Sequence, residues 1–144
     1  MRIKREDIKR ALSLIEAAKR DLEFTLTLPV NESSASTIVR NIYECFRMLG
    51  EALLVAEGKI VTDHKEMLKR LTLLPVNTSR PLGGLENLRL MRHRINYYGY
   101  RATVKEAKYA ISLAKCCFQP LYEFIKKLLN KNQRYKFSCA SGSM

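Results

Sequence analysis

The densest set of groups able to hold a negatively charged ligand lies between Arg89 and Arg101. Four arginines (89, 92, 94 and 101), His93 and three tyrosines (97, 98 and 100) fall within these thirteen residues. A guanidinium offers a planar fork of donors that matches phosphate oxygens two at a time. Arg92 follows Leu88 by four positions and precedes Ile95 by three. On a helix this spacing puts it at the edge of the apolar stripe, not on the fully solvated side. Burial there is costly unless the charge is paired. Arg92 therefore either bonds an acidic or carbonyl partner inside the fold and fixes packing, or stands in a groove ready for phosphate. Asn96, one turn further on, is within side-chain reach. Arg92, Asn96, Tyr97, Arg89 and Tyr100 form the candidate ligand-binding set. The tyrosines could stack on unpaired bases or simply pack at a helix end with the hydroxyl in water.

Other polar groups are more dispersed. His64, beside Lys65, reads as a residue at a helix start with a local hydrogen bond. Lys126, Lys127 and Lys131 read as a solvated basic face, with phosphate contact as the sharper alternative. The chain has no phosphate-cradling glycine loop and no dinucleotide fingerprint. It also lacks a GxSxG elbow and an HExxH pair. The two histidines lie 29 positions apart, with no carboxylate pair tied to either. None of the cysteines (45, 116, 117 and 139) forms a CxxC pair, so no zinc site or disulfide framework is expected, and reduced thiols are the default. No metal and no cofactor is expected.

The elements that must position these groups are helices. Ile8, Ala11, Leu12, Ile15, Ala18 and Leu22 mark a first helix over about Glu6 to Leu26, stopped by Pro29. Ile38, Ile42, Cys45, Leu49, Ala52 and Ala56, widened by Val39, Phe46 and Leu53, mark a second over about Ala35 to Glu57, with Gly58 past its end. Asp63 opens a short third helix carrying Met67, Leu68 and Leu71. A loop from Leu74 to Gly84 leads to a fourth helix, Leu85 to Tyr98, ended by Gly99. Thr103 and Glu106 match a capping box for a fifth helix running to about Leu128. Pro120 should kink that helix or split it in two. Residues after Asn130 lose periodicity and are expected to form a mobile tail over 131–144.

Strand signals are missing and 47% of the 144 residues are hydrophobic. The expected fold is all-α: a single antiparallel up-and-down bundle of about five helices over residues 1–130. The net charge of +12 points to phosphate-bearing partners rather than to a fold. The charged start, with no apolar run behind it, predicts no signal peptide, and no stretch is long enough to span a membrane. A cytoplasmic location is the expectation.

Three stretches together resemble the HEPN superfamily of small helical-bundle proteins. Asn41 to Gly58 is similar to its central helix, Asp63-His64-Lys65 to its short His-Lys helix start, and Arg92-His93-Arg94-Ile95-Asn96-Tyr97-Tyr98-Gly99 to its late arginine motif. The likeness covers about residues 6 to 128. It implies an RNA- or nucleotide-binding module, a homodimer, and a minimal nucleotidyltransferase as partner in a toxin–antitoxin pair. Catalytic members of the family are metal-independent ribonucleases that use the arginine with a histidine five positions on. That position here is Tyr97, while His93 lies next to Arg92 and is expected to point elsewhere. A tyrosine, ordinarily near pKa 10, is a poor base at neutral pH compared with a histidine near 6.5. The resemblance is thus to the Tyr-Gly branch, for which catalysis is not implied. A toxin ribonuclease using Arg92 with His93 or Tyr97, and a protein-interaction scaffold, are the alternatives.

Overall fold

The computed structural model describes the backbone of residues 2–3, 7–60 and 62–142, and the side chains of residues 7–60 and 62–131. Five helices carry the fold: α1 (Ile8–Thr25), α2 (Ala35–Ala56), α3 (His64–Thr72), α4 (Gly84–Tyr98) and α5 (Val104–Gly142). Two residues, Arg2–Ile3 (β1), pair antiparallel with Lys59–Ile60 (β2).

Three of the five helix starts are capped by their own side chains. Asp7 Oδ1 accepts the Arg10 amide at 2.9 Å, and Asp63 Oδ1 accepts the Lys65 amide at 2.9 Å. Thr103 and Glu106 form the reciprocal box expected of them: the Glu106 amide donates to Thr103 Oγ1 at 3.1 Å, and the Thr103 amide donates to Glu106 Oε1 at 3.0 Å. Each satisfies backbone donors that a helix start leaves orphaned. Gly99 ends α4 with φ +63, a left-handed turn that a residue with a Cβ resists.

α2 is the central helix. It buries fourteen residues and packs against all four others. Ile38, Ile42, Phe46, Leu49 and Leu53 are at most 1% exposed, and the Phe46 ring meets Phe118 of α5 edge to face at 5.8 Å. A helix this apolar around its circumference must be surrounded.

The all-α expectation holds, but the directions differ from a strict up-and-down order. The Asp7 amide reaches the Val55 carbonyl and Arg10 pairs with Glu51, so α1 runs against α2. α3 runs with α2: Tyr43 meets His64 and Glu57 meets Arg70. The reason lies in the connector. The chain turns at Glu57 and at Gly58, whose φ is +75, and β2 (Lys59–Ile60) then packs against α2. α3 starts at His64, back beside Tyr43, and runs from there in the same direction as α2. α4 then runs against α5, with Asn87 on Tyr109 and Arg94 on Glu106.

α5 passes through Pro120 as one helix, so of the kink or split expected there the split does not occur. Cys117, Phe118, Leu121 and Tyr122 around the proline are all buried, and this packing offsets one missing backbone donor. The helix also does not stop near Asn130: it continues to Gly142, across most of the segment expected to be a tail.

Candidate functional site

Three elements converge on a polar pocket of about 270 Å³. Tyr43 comes from α2, Thr62 to Lys65 from the start of α3, and Arg89, Arg92, His93 and Tyr97 from α4. The wide apolar face of α2 explains why Tyr43, only 1% exposed, has its ring in the core. Its hydroxyl reaches the pocket edge, where it lies 2.8 Å from His64 Nδ1. The Arg92 guanidinium sits over the same ring, 5.1 Å from its centroid. One buried phenol thus touches a cation with its face and an imidazole with its hydroxyl.

Arg92 lies where the spacing places it, half-buried at the edge of the stripe formed by Leu88, Met91 and Ile95. Among the described residues it has no carboxylate partner; its contact is the Tyr43 ring. Arg89 differs. Its Nε and a terminal nitrogen both donate to Glu86, at 3.0 and 2.6 Å, which offsets its charge. Those bonds hold the Glu86 carboxyl below its usual range. Lys65 adds a second cation to the pocket wall and Asp63 an anion.

The other sequence candidates divide. His93 was expected to point away from Arg92, but it lines the same pocket, its ring 4.6 Å from that of Tyr97 and 5.8 Å from that of Tyr98. The pocket forms between α3 and α4, and α3 comes within reach only because it runs parallel to α2. Asn96 is exposed and does not line the pocket. Tyr100 lies at the α4–α5 junction, where its hydroxyl donates to Glu106 at 2.6 Å and Arg94 covers its ring at 4.8 Å.

Sequence reasoning left Tyr43, His64 and Lys65 out of the candidate set. Tyr43 looks like a core aromatic within the stripe of α2, and His64 lies 28 positions from Arg92. The one available signal was Asp63-His64-Lys65 as a helix start, one of the three stretches on which the family resemblance rests. Both of the chain's histidines line this pocket.

Burial and nearby charges favour the neutral form of both groups in this bond. Burial raises the Tyr43 phenol above its usual 10. The His64 ring is held below its usual 6.5, first by burial and then by the Arg47 and Arg92 guanidinium groups. Among the described residues the Tyr43 hydroxyl has no acceptor other than His64, which assigns the phenol as donor, Nδ1 as acceptor and the imidazole hydrogen to Nε2. The unfolded chain binds that proton more readily than the fold does, so stability falls as pH drops from about 6.5 through the lower folded value. The thermal midpoint of the wild type is expected to decline across that window, and His64→Gln to lack this part of the decline. Melting curves recorded from about pH 7.5 to 5 that move in parallel for both proteins would contradict it.

Among the described residues no group of three or more His, Cys, Asp or Glu side chains is placed to hold a metal ion. No helix among them is long and apolar enough to cross a membrane. Burial pushes the Cys45 thiol up to about 12, which leaves it unreactive. No family model matches the chain, no curated protein matches it, and no solved structure matches its fold.

Proposed function

We propose that this chain is a HEPN-like module that binds RNA or a nucleotide through phosphate, at the pocket walled by Arg92 and Lys65, without cleaving it. The observation that carries this reading is the state of Arg92. Its guanidinium is half-buried at the wall of a polar pocket, resting on an aromatic face and lacking a carboxylate among the described residues. An arginine kept only for packing is normally paired, because desolvating the charge is costly. The +12 net charge supports the same class of partner by drawing polyanions to the surface.

The order of the helix motifs supports the wider setting: a cytoplasmic toxin–antitoxin pair with a minimal nucleotidyltransferase, and a homodimer. Leu90, Tyr97 and Tyr98 lie 47%, 68% and 77% exposed along α4. They give that helix apolar surface for a protein contact. One observation favours ribonuclease chemistry as a second reading: His93 shares the pocket with Arg92. In that case Arg92 would steady the charge on the attacked phosphate and His93 would move a proton.

The test uses a single-stranded RNA hexamer and 5′-AMP at one fixed salt concentration, since affinities across salts are not comparable. Arg92→Ala is expected to weaken binding about tenfold, the scale of one hydrogen-bonded charge. Lys127→Ala, on the exposed face of α5, should change it less than threefold. Equal affinities for wild type and Arg92→Ala would remove the pocket from the reading. The same RNA, incubated with chelator and run on a denaturing gel, is expected to stay intact. Chelator-resistant cleavage that Arg92→Ala abolishes would establish the ribonuclease reading instead.

A further inference from the structure

We propose that His64 is a ligand-contacting residue, its Nε2–H donating to a phosphoryl oxygen, and that buried Tyr43 is the positioning residue that sets both His64 and Arg92. This rests on the phosphate-binding reading and adds to it the group that completes the pocket.

The argument starts from Tyr43. A tyrosine in a helix core usually spends its hydroxyl on a backbone carbonyl or on water. Here the hydroxyl's partner is a pocket side chain, His64 Nδ1 at 2.8 Å. An imidazole with Nδ1 occupied as an acceptor has one donor left, Nε2–H, in a fixed tautomer. That ring lies on a pocket wall opposite α4, and Arg92 stacks at 5.1 Å on the phenol that holds it. The ring of Tyr43 therefore supports the cation while its hydroxyl orients the neutral donor. A fixed neutral donor beside a cation suits an anion that accepts several hydrogen bonds at once, and the phosphoryl group is the common one. It also adds no further positive charge to a wall that already carries Arg92 and Lys65.

Tyr43→Phe separates the two roles, because it keeps the ring beneath Arg92 and removes only the bond to His64. Binding of 5′-AMP and of the RNA hexamer would be measured for wild type, Arg92→Ala, His64→Ala, His64→Gln, Tyr43→Phe and the Tyr43→Phe/His64→Ala pair. Each protein is first shown by its melting curve to be folded at the assay temperature. His64→Ala is expected to weaken binding about tenfold, and His64→Gln, which keeps a side-chain donor, to recover most of that loss. Tyr43→Phe should weaken binding by a similar factor, and adding it to His64→Ala should change nothing further, because the two act through one contact.

If wild type binds and Arg92→Ala weakens it while His64→Ala matches wild type, the role of His64 is overturned and the Arg92 reading stands. If Tyr43→Phe weakens His64→Ala further, Tyr43 acts through packing and its positioning role falls. If neither probe binds wild type, the phosphate reading fails and takes this proposal with it. The two probes separate the sources of the phosphate: loss confined to the hexamer assigns the pocket to RNA, and loss confined to 5′-AMP assigns it to a free nucleotide.

Discussion

Gly50→Ala should destabilise the fold by about 2–3 kcal/mol and lower its thermal midpoint by roughly 10 °C. Propensity alone predicts the opposite sign, since alanine in a helix interior is favoured over glycine by about 1 kcal/mol. The difference is the backbone of α3. A Cβ at position 50 would lie 2.7 Å from the Met67 carbonyl carbon, nearer still to its oxygen, and 3.1 Å from Met67 Cβ. These atoms cannot rotate aside as a side-chain tip can, so α3 must shift as a unit. His64 and Lys65 stand on that helix, and the pocket wall would move with it. Gly83→Ala is the control: its added Cβ meets nothing within 4 Å and its φ is −56. Calorimetry on both variants tests the contrast. A Gly50→Ala protein as stable as wild type would show that α3 is not seated against α2 at this point.

Arg47→Ala should cost about 2 kcal/mol. Arg47 is 15% exposed, and its guanidinium bridges Glu44 (Nε to Oε2, 2.9 Å) and Glu51 (2.8 Å) while touching the Met67 sulfur at 3.5 Å. The hydrogen bonds to Glu44, followed by those to Glu51, raise its pKa against the pull of burial. Without it two carboxylates remain on one face of α2. Glu51 keeps Arg10 at 3.2 Å, and Glu44 is about half exposed. The loss therefore falls below the 3–5 kcal/mol of a fully buried pair. Denaturant unfolding measures it, and a change under about 0.5 kcal/mol would place Arg47 among ordinary surface pairs. Arg47 is also the second cause, after burial, of the low His64 value. The histidine's titration should move back toward 6.5 in the variant.

The helices were legible because each announces itself locally. Asp63 and Thr103 cap helix starts from their own side chains, Gly99 closes α4, and the stripes of Ile, Leu and Ala repeat at helical spacing, although the cap at Asp7 falls just inside the first helix as read from the sequence. The edge position of Arg92 was legible for the same reason. What escaped depends on partners far along the chain. The direction of α3 follows from a connector with no periodicity to read, and it is this direction that brings His64 to Tyr43 and the pocket lined by Arg92. Asn96 and Tyr100 seemed equivalent to Arg92 by proximity in sequence. Yet Asn96 is exposed and does not line the pocket, while the fold gives Tyr100 to Glu106 at the next helix. The helical run beyond Asn130 lacks an apolar stripe, the signal by which the other helices were found.

The placement of both imidazoles in one pocket has a practical consequence. Their ring protons resonate apart from most other signals in a proton magnetic-resonance spectrum, and the chain contributes only two sets. Any molecule entering the pocket would perturb those few lines while the rest of the spectrum kept its pattern. The protein therefore carries its own background-free reporter of occupancy, needing neither label nor engineered probe.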